Sequence, residues 1–363
     1  MKKFIYRAAF VCAAFLILSP AAAQASAAKA PPKPIKYADA VKMATKKLSG
    51  VVSLEDSKSL LSEQKKYASS TEAWHIDKQI DSLKLNQDMV KISTEVSLRN
   101  ILVNIENYGL DIGLLEETIV QNEANVVRVG LRRQYGMASD NDLRAAEQAL
   151  AQNQANLDAL LISLENEKIN LNKILQLPLT QASVVDYERA AENPPEDLEK
   201  YIKDKLKKDP SVKQKQNTLD MKKREYDDYI EQQRLIRLQI YYGLLKPEEA
   251  PPVDPMREIS LKSEYDKAKR ELDDAKKAME TAIRANCNNL EQIRQRQVSL
   301  LVDLEKANDS YETATAHLQA GFATQYDVDN ALLAISNTNV SIQKNLNSYW
   351  TLRFLFNHPF LLS

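Results

Sequence analysis

Seam positions recur along this chain in steps of three and four. Leu143, Ala146, Leu150, Asn153, Leu157, Leu160, Leu164, Glu167 and Leu171 follow one another at 3-4-3-4 spacing. Val328, Ala331, Ile335, Thr338, Ile342, Asn345, Tyr349, Leu352 and Phe356 repeat those steps, each displaced by 185 positions (143 to 328). A sustained 3.5-residue period keeps one face of a helix turned to a partner helix. Leu98, Ile101, Ile105, Tyr108, Ile112, Leu115 and Ile119 form a third seam. Upstream of it, Leu85, Met89, Ile92 and Val96 run in a shifted phase, which predicts two neighbours for that helix.

Proline sharpens the boundaries. It lacks an amide hydrogen and clashes with the preceding turn, so helix interiors exclude it. Positions 35–177 and 256–358 hold none. Each block is long enough for an arm of about 100 Å at ~1.5 Å per residue. Gly109, Gly113 and Gly130 interrupt the first block and are expected to be close-packing points or bends, not breaks. "YADAVKMATKKLSG" (37–50) and "DLEKYIKDKLKKDP" (197–210) read as short amphipathic helices stopped by Gly or Pro.

Two nine-residue stretches punctuate the long blocks, "YGMASDNDL" (135–143) and "AGFATQYDV" (320–328). In the first, Gly136 suits the left-handed stop of a helix. Ser139 suits the N-cap of the next helix, and Asp142 its third position, which makes a capping box. Gly321, Thr324 and Asp327 repeat the arrangement. Each stretch therefore predicts the apex of a helical hairpin.

These patterns predict an all-α fold. It consists of two tandem long antiparallel helical hairpins with a pseudo-two-fold internal repeat and little or no β structure. The predicted segments are 1–27 signal peptide, 28–35 Pro-rich linker, 36–180 first repeat, 181–196 linker and 197–363 second repeat. Lys2, Lys3 and Arg7 precede the apolar "AAFVCAAFLIL", and "AQASA" offers cleavage after Ala25 or Ala27, so the chain is expected to be exported. Cys287 is then the only cysteine of the mature chain and reads as structural or incidental, which leaves no intramolecular disulfide and only an intermolecular one open.

Composition narrows the function. Net charge is -1 and no long block has a single sign, so nucleic acid is not an expected partner. His75, His317 and His358 lie far apart, without metal-ligand spacing. There is no phosphate loop and no nucleophile elbow. No catalytic residue, cofactor or metal is expected.

The duplicated Gly-x-x-Ser/Thr-x-x-Asp-Leu/Val turns resemble the TolC-type outer membrane efflux family. They are carried by Gly136, Ser139, Asp142 and Leu143, then by Gly321, Thr324, Asp327 and Val328. "AEQALAQNQANLDALL" and "LNKILQLPL" also resemble that family's returning helix, and the likeness spans nearly the whole mature chain. The resemblance implies a homotrimer whose hairpins form a tube. It implies a periplasmic adaptor docked at the hairpin tips and, through the adaptor, an inner-membrane pump. It also implies a β-barrel at the opposite end, but the sequence departs from the family there. Residues 60–85 are polar and helix-prone, and "LIRLQIYYGLL" (235–245) is the only strand candidate. The first expectation is a passive export duct in the cell envelope, lacking most or all of its barrel strands. The alternative is an exported coiled-coil structural or surface-interaction protein that kept the fold and lost the conduit role.

Overall fold

The computed structural model describes residues 34–46, 48–179, 183–187, 195, 197–251 and 254–362. The predicted signal peptide and most of both predicted linkers lie outside these residues. The elements are β1 (Ile35–Lys36), α1 (Tyr37–Thr45), α2 (Ser49–Lys65), α3 (Ser70–Gln134), α4 (Asp140–Ile174), β2 (Val185–Asp186), α5 (Leu198–Lys208), α6 (Pro210–Tyr241), α7 (Pro255–Gln319) and α8 (Gln325–Asn357). The all-α hairpin fold is the one expected. The arms α3 and α7 each hold 65 residues, and each turns back into a returning helix.

The 3-4 seam is the packed face. From Leu143 to Leu171, every seam residue of α4 is covered by α3, while nearly all residues between them face solvent. On α3, the seam from Leu98 to Ile119 is likewise covered. Its upstream phase serves the two neighbours expected: α3 packs on α2 and on α6 there. Helix α8 is covered over a wider arc because it lies between α7 and α3. Four arms therefore stand side by side in the order α4, α3, α8, α7.

Contacts between α3 and α8 fix their direction. The Asn347 amide donates to Asn107 Oδ1 at 2.8 Å, Lys344 pairs with Asp111, and Arg128 lies 4.0 Å over the Tyr326 ring. Rising numbers on one helix meet falling numbers on the other. The two helices are antiparallel, and both hairpin apices lie at the same end.

Away from the apices the short helices close two apolar cores. Ala40 and Ala44 of α1 meet Leu98, Leu102, Leu171, Leu175 and Val185. Ile202 of α5 meets Val212, Leu272, Met279, Ile283, Leu290 and Phe356, with Cys287 packed alongside. A two-residue parallel sheet pairs Ile35 with Val185 and Lys36 with Asp186. It ties the residues just before α1 to those between α4 and α5, a long-range pairing with no signature in the local pattern.

Two expectations need correction. The strand candidate 235–245 is helical to Tyr241, where Gly243 at φ 68° stops α6. Apolar spacing explains this: Leu235, Leu238 and Tyr242 fall on one helical face, and Ile236 and Ile240 on another. Gly109, Gly113 and Gly130 are not close-packing points, because a Cβ at each would meet nothing within 4 Å, and α3 runs through them unbroken. The segments "LQLP" and "FNHP" look alike but end their helices differently. Gln176 takes the left-handed conformation at φ 56°, whereas His358 sits at φ -128°.

Candidate hairpin-tip site

Both apices are built by the same rules. Helix α3 ends with Arg132 and Arg133 in its last turn, where cations oppose the negative end of the helix dipole. Gly136 adopts φ 71°; its amide donates to Arg133 O at 2.9 Å and the Met137 amide to Arg132 O at 2.8 Å. Gly321 adopts φ 75°; its amide donates to Leu318 O at 3.0 Å and the Phe322 amide to His317 O at 2.8 Å. This paired bonding satisfies carbonyls that the helix end would otherwise leave free.

The next helix starts on the hydroxyl and the acid. Asp142 accepts from the Ser139 amide at 2.7 Å and from its hydroxyl at 2.8 Å, and the Asp142 amide donates back to Ser139 Oγ at 3.2 Å. Asp327 accepts from the Thr324 amide at 2.8 Å and from its hydroxyl at 2.7 Å. The backbone and side-chain hydrogen bonds from Ser139 hold the Asp142 carboxyl below the usual range. Those from Thr324, with a smaller contribution from Arg128, do the same for Asp327.

Gly136, Ser139 and Asp142 are thus brought together on one turn, and Gly321, Thr324 and Asp327 on the other. The hydrogen bonds described for each triplet lie within its own apex. Arg128 of α3 is the link between tips, stacked on Tyr326 and facing Asp327. Nearby, the Gln121 amide donates to the Asp329 carbonyl.

The sequence reading missed what sits beside the glycines. Met137 is 62% exposed and Phe322 84% exposed. The residue after such a glycine stop commonly packs back on its own helix. Here both apolar side chains are exposed, and so is Tyr135 beside Met137. A shallow groove beside Phe322 is lined by Asp309, Thr313, His317 and Asp327. A large apolar residue directly after each Gly is the signal that would have found this surface. The arrangement presents exposed apolar side chains on two capped turns.

Two tests address the local physics. Gly321→Val should lower stability by about 1–2 kcal/mol, since a β-branched residue at φ 75° is strained. Gly109→Ala, in open space within a helix, should raise it by about 0.5–1 kcal/mol. Urea unfolding of both variants checks the contrast. The second test is acid dependence. A depressed carboxyl pKa contributes stability that is full above the unfolded value of about 3.9 and is lost as pH falls through the folded value. The urea midpoint of the wild type should therefore fall more steeply below about pH 4 than that of an Asp142→Asn/Asp327→Asn variant. Parallel curves would show that the acid locks carry no such linkage.

With the tips and arms in place, the fold is that of the TolC-type outer membrane channels, without strands of barrel length among the described residues. The sequence matches no protein-family model and no curated protein. Solved structures do match. The outer membrane protein VceC from Vibrio cholerae superposes with a TM-score of 0.66 at 10% identity, covering 89% of this chain and 95% of its own. The Campylobacter jejuni CmeC outer membrane channel gives 0.64 at 12%, covering 93% and 90%. A membrane protein from Pseudomonas aeruginosa gives 0.62 at 11%, covering 94% and 99%.

Proposed function

We propose that this chain is a passive component of an envelope export duct that docks an adaptor-type periplasmic protein through its two hairpin tips. The observation that carries the reading is the paired apex. Two turns of one design stand at the same end of a four-arm wall, each presenting an exposed apolar residue, Met137 or Phe322. The two halves follow the same order of short, medium, long and returning helices, and we read them as copies of one unit, 36–180 and 197–363.

A wall of this kind closes a tube only with further copies. The outer arms α4 and α7 form the free edges of the wall. They leave Leu161 and Ile162 exposed on one edge and Val298, Leu301 and Val302 on the other. Apolar edges of this kind suit a homotrimer, with transport driven by an inner-membrane pump behind the adaptor.

A second reading has its own support. The barrel positions are occupied by a tight turn at 66–69 and by a helical extension before α7. This favours an exported structural or interaction protein that keeps the fold without the conduit. Photo-crosslinkers at Met137 and Phe322, with Val52 on α2 as the distant control, separate the two in cells. The duct reading expects one adaptor-type protein captured at both tips and lost on charge reversal at Asp140 and Asp309. Capture equal to the Val52 control, or surviving the reversals, would overturn docking there.

A further inference from the structure

The end opposite the tips carries an asymmetric projection. Helices α3 and α7 start at the same level, because both are registered on α6. Trp74 lies under Arg224 at 4.6 Å and Lys78 pairs with Asp220 at 2.8 Å on one side. Lys222 pairs with Glu264 at 2.7 Å and the Tyr229 hydroxyl donates to Asp254 O at 3.0 Å on the other. Beyond Tyr229, residues 230–241 of α6 continue past both neighbours for about 18 Å at ~1.5 Å per residue. Residues 242–251 fold back along the extension, leaving Ile236, Ile240 and Leu245 half-buried.

The outer surface of this finger is apolar at its tip. Tyr241 is 81%, Tyr242 69% and Leu244 78% exposed, with Leu235 and Leu238 behind them. Residues 238–245 contain no charged side chain. The first charges on either side are both cationic, Arg237 and Lys246. The acids come after them along the chain: Glu231, bonded to Arg234, and Glu248 and Glu249, the latter 3.7 Å from Lys246. The order from the tip inward is apolar, basic, acidic. A bilayer presents the complement: acyl chains, then phosphates, then water. Tyrosine is favoured at that boundary because its ring is apolar and its hydroxyl stays wet. No helix among the described residues is long and apolar enough to cross a membrane, so contact through this finger would be interfacial.

We propose that the Tyr241–Leu244 tip inserts into the headgroup–acyl boundary of a phospholipid bilayer, with Arg237 and Lys246 at the phosphate level. The inference does not depend on the duct reading. The test is flotation of the full mature chain with phosphatidylcholine vesicles, with and without phosphatidylglycerol. Wild type should float with both. Tyr241→Ser/Tyr242→Ser/Leu244→Ser, whose exposed positions leave helix content by circular dichroism unchanged, should bind at least tenfold more weakly. Arg237→Gln/Lys246→Gln should weaken binding several-fold on the anionic vesicles. A Met137→Ser/Phe322→Ser variant at the far end should float like wild type. Absence of flotation, or equal flotation of wild type and the triple variant, would overturn the proposal. So would a triple variant that changes only the mass of the assembly. A stable monomer that floats would leave this inference intact while removing the duct.

Discussion

Phe356→Ala should lower the free energy of unfolding by about 3–5 kcal/mol, the range for truncating a fully buried aromatic ring. Phe356 has no exposed surface. Its ring stacks on Tyr201 with centroids 4.7 Å apart, and the Tyr201 hydroxyl donates to the Phe356 carbonyl at 2.9 Å. Around it lie Ile202 of α5, Val212 of α6 and Met279 and Ile283 of α7. Helix α5 is short and needs this core to stay in place, so truncation removes transfer energy and also leaves a cavity under α5. Phe356→Leu, which keeps most of the volume, should lose less than half as much. Denaturant midpoints of the two variants check the ratio. A loss below about 1 kcal/mol for alanine would mean that the second core does not hold the returning helix.

Arg99→Ala should cost about 3 kcal/mol, through loss of a mostly buried ion pair and of its ring contacts. The Arg99 guanidinium lies 4.9 Å from Tyr37, 4.2 Å from Trp350 and 4.0 Å from Phe354, measured to ring centroids. It pairs with Glu95 at 3.3 Å, and Glu95 also accepts from the Tyr37 hydroxyl at 2.8 Å. Burial pushes the Tyr37 phenol up, so it remains a donor. This cluster joins α1, α3 and α8, and therefore the two halves. Arg99→Lys should not restore the loss, because an ammonium lacks the planar face that stacks on three rings. The chain has two tryptophans. In a Trp74→Phe background, emission from Trp350 should shift to the red in the alanine variant. An unshifted spectrum with wild-type stability would refute the clamp.

These two cores show where sequence reading reached and where it stopped. The seam from Leu143 to Leu171 was legible because packing against a single neighbour imposes a 3.5-residue period that survives in the residue types. The tips were legible because left-handed stops and N-caps accept few residues. Arg99 was not legible as a clamp. Tyr37, Arg99, Trp350 and Phe354 come from distant positions, and nothing local marks a convergence set by the three-dimensional path. The pairing of Ile35 with Val185 was hidden for the same reason. Residues 235–245 misled because Leu, Ile and Tyr alternate with Arg and Gln over a short span, where strand and helix periods cannot be told apart. The surroundings decide it: the span continues a helix begun at Pro210 and ends at the Gly243 stop. At the tips, the capping residues announced a turn, but the exposed Met137 and Phe322 had to be seen in place.

The central claim is that this four-arm wall closes into a duct with further copies of itself. Light scattering of the mature chain, from which the predicted signal has been removed, tests it most directly. The account predicts a stable particle of three chains that dissociates when Val298, Leu301 and Val302 on the α7 edge are replaced by charged residues. A monodisperse monomer across the concentration range, unchanged by those substitutions, would contradict it.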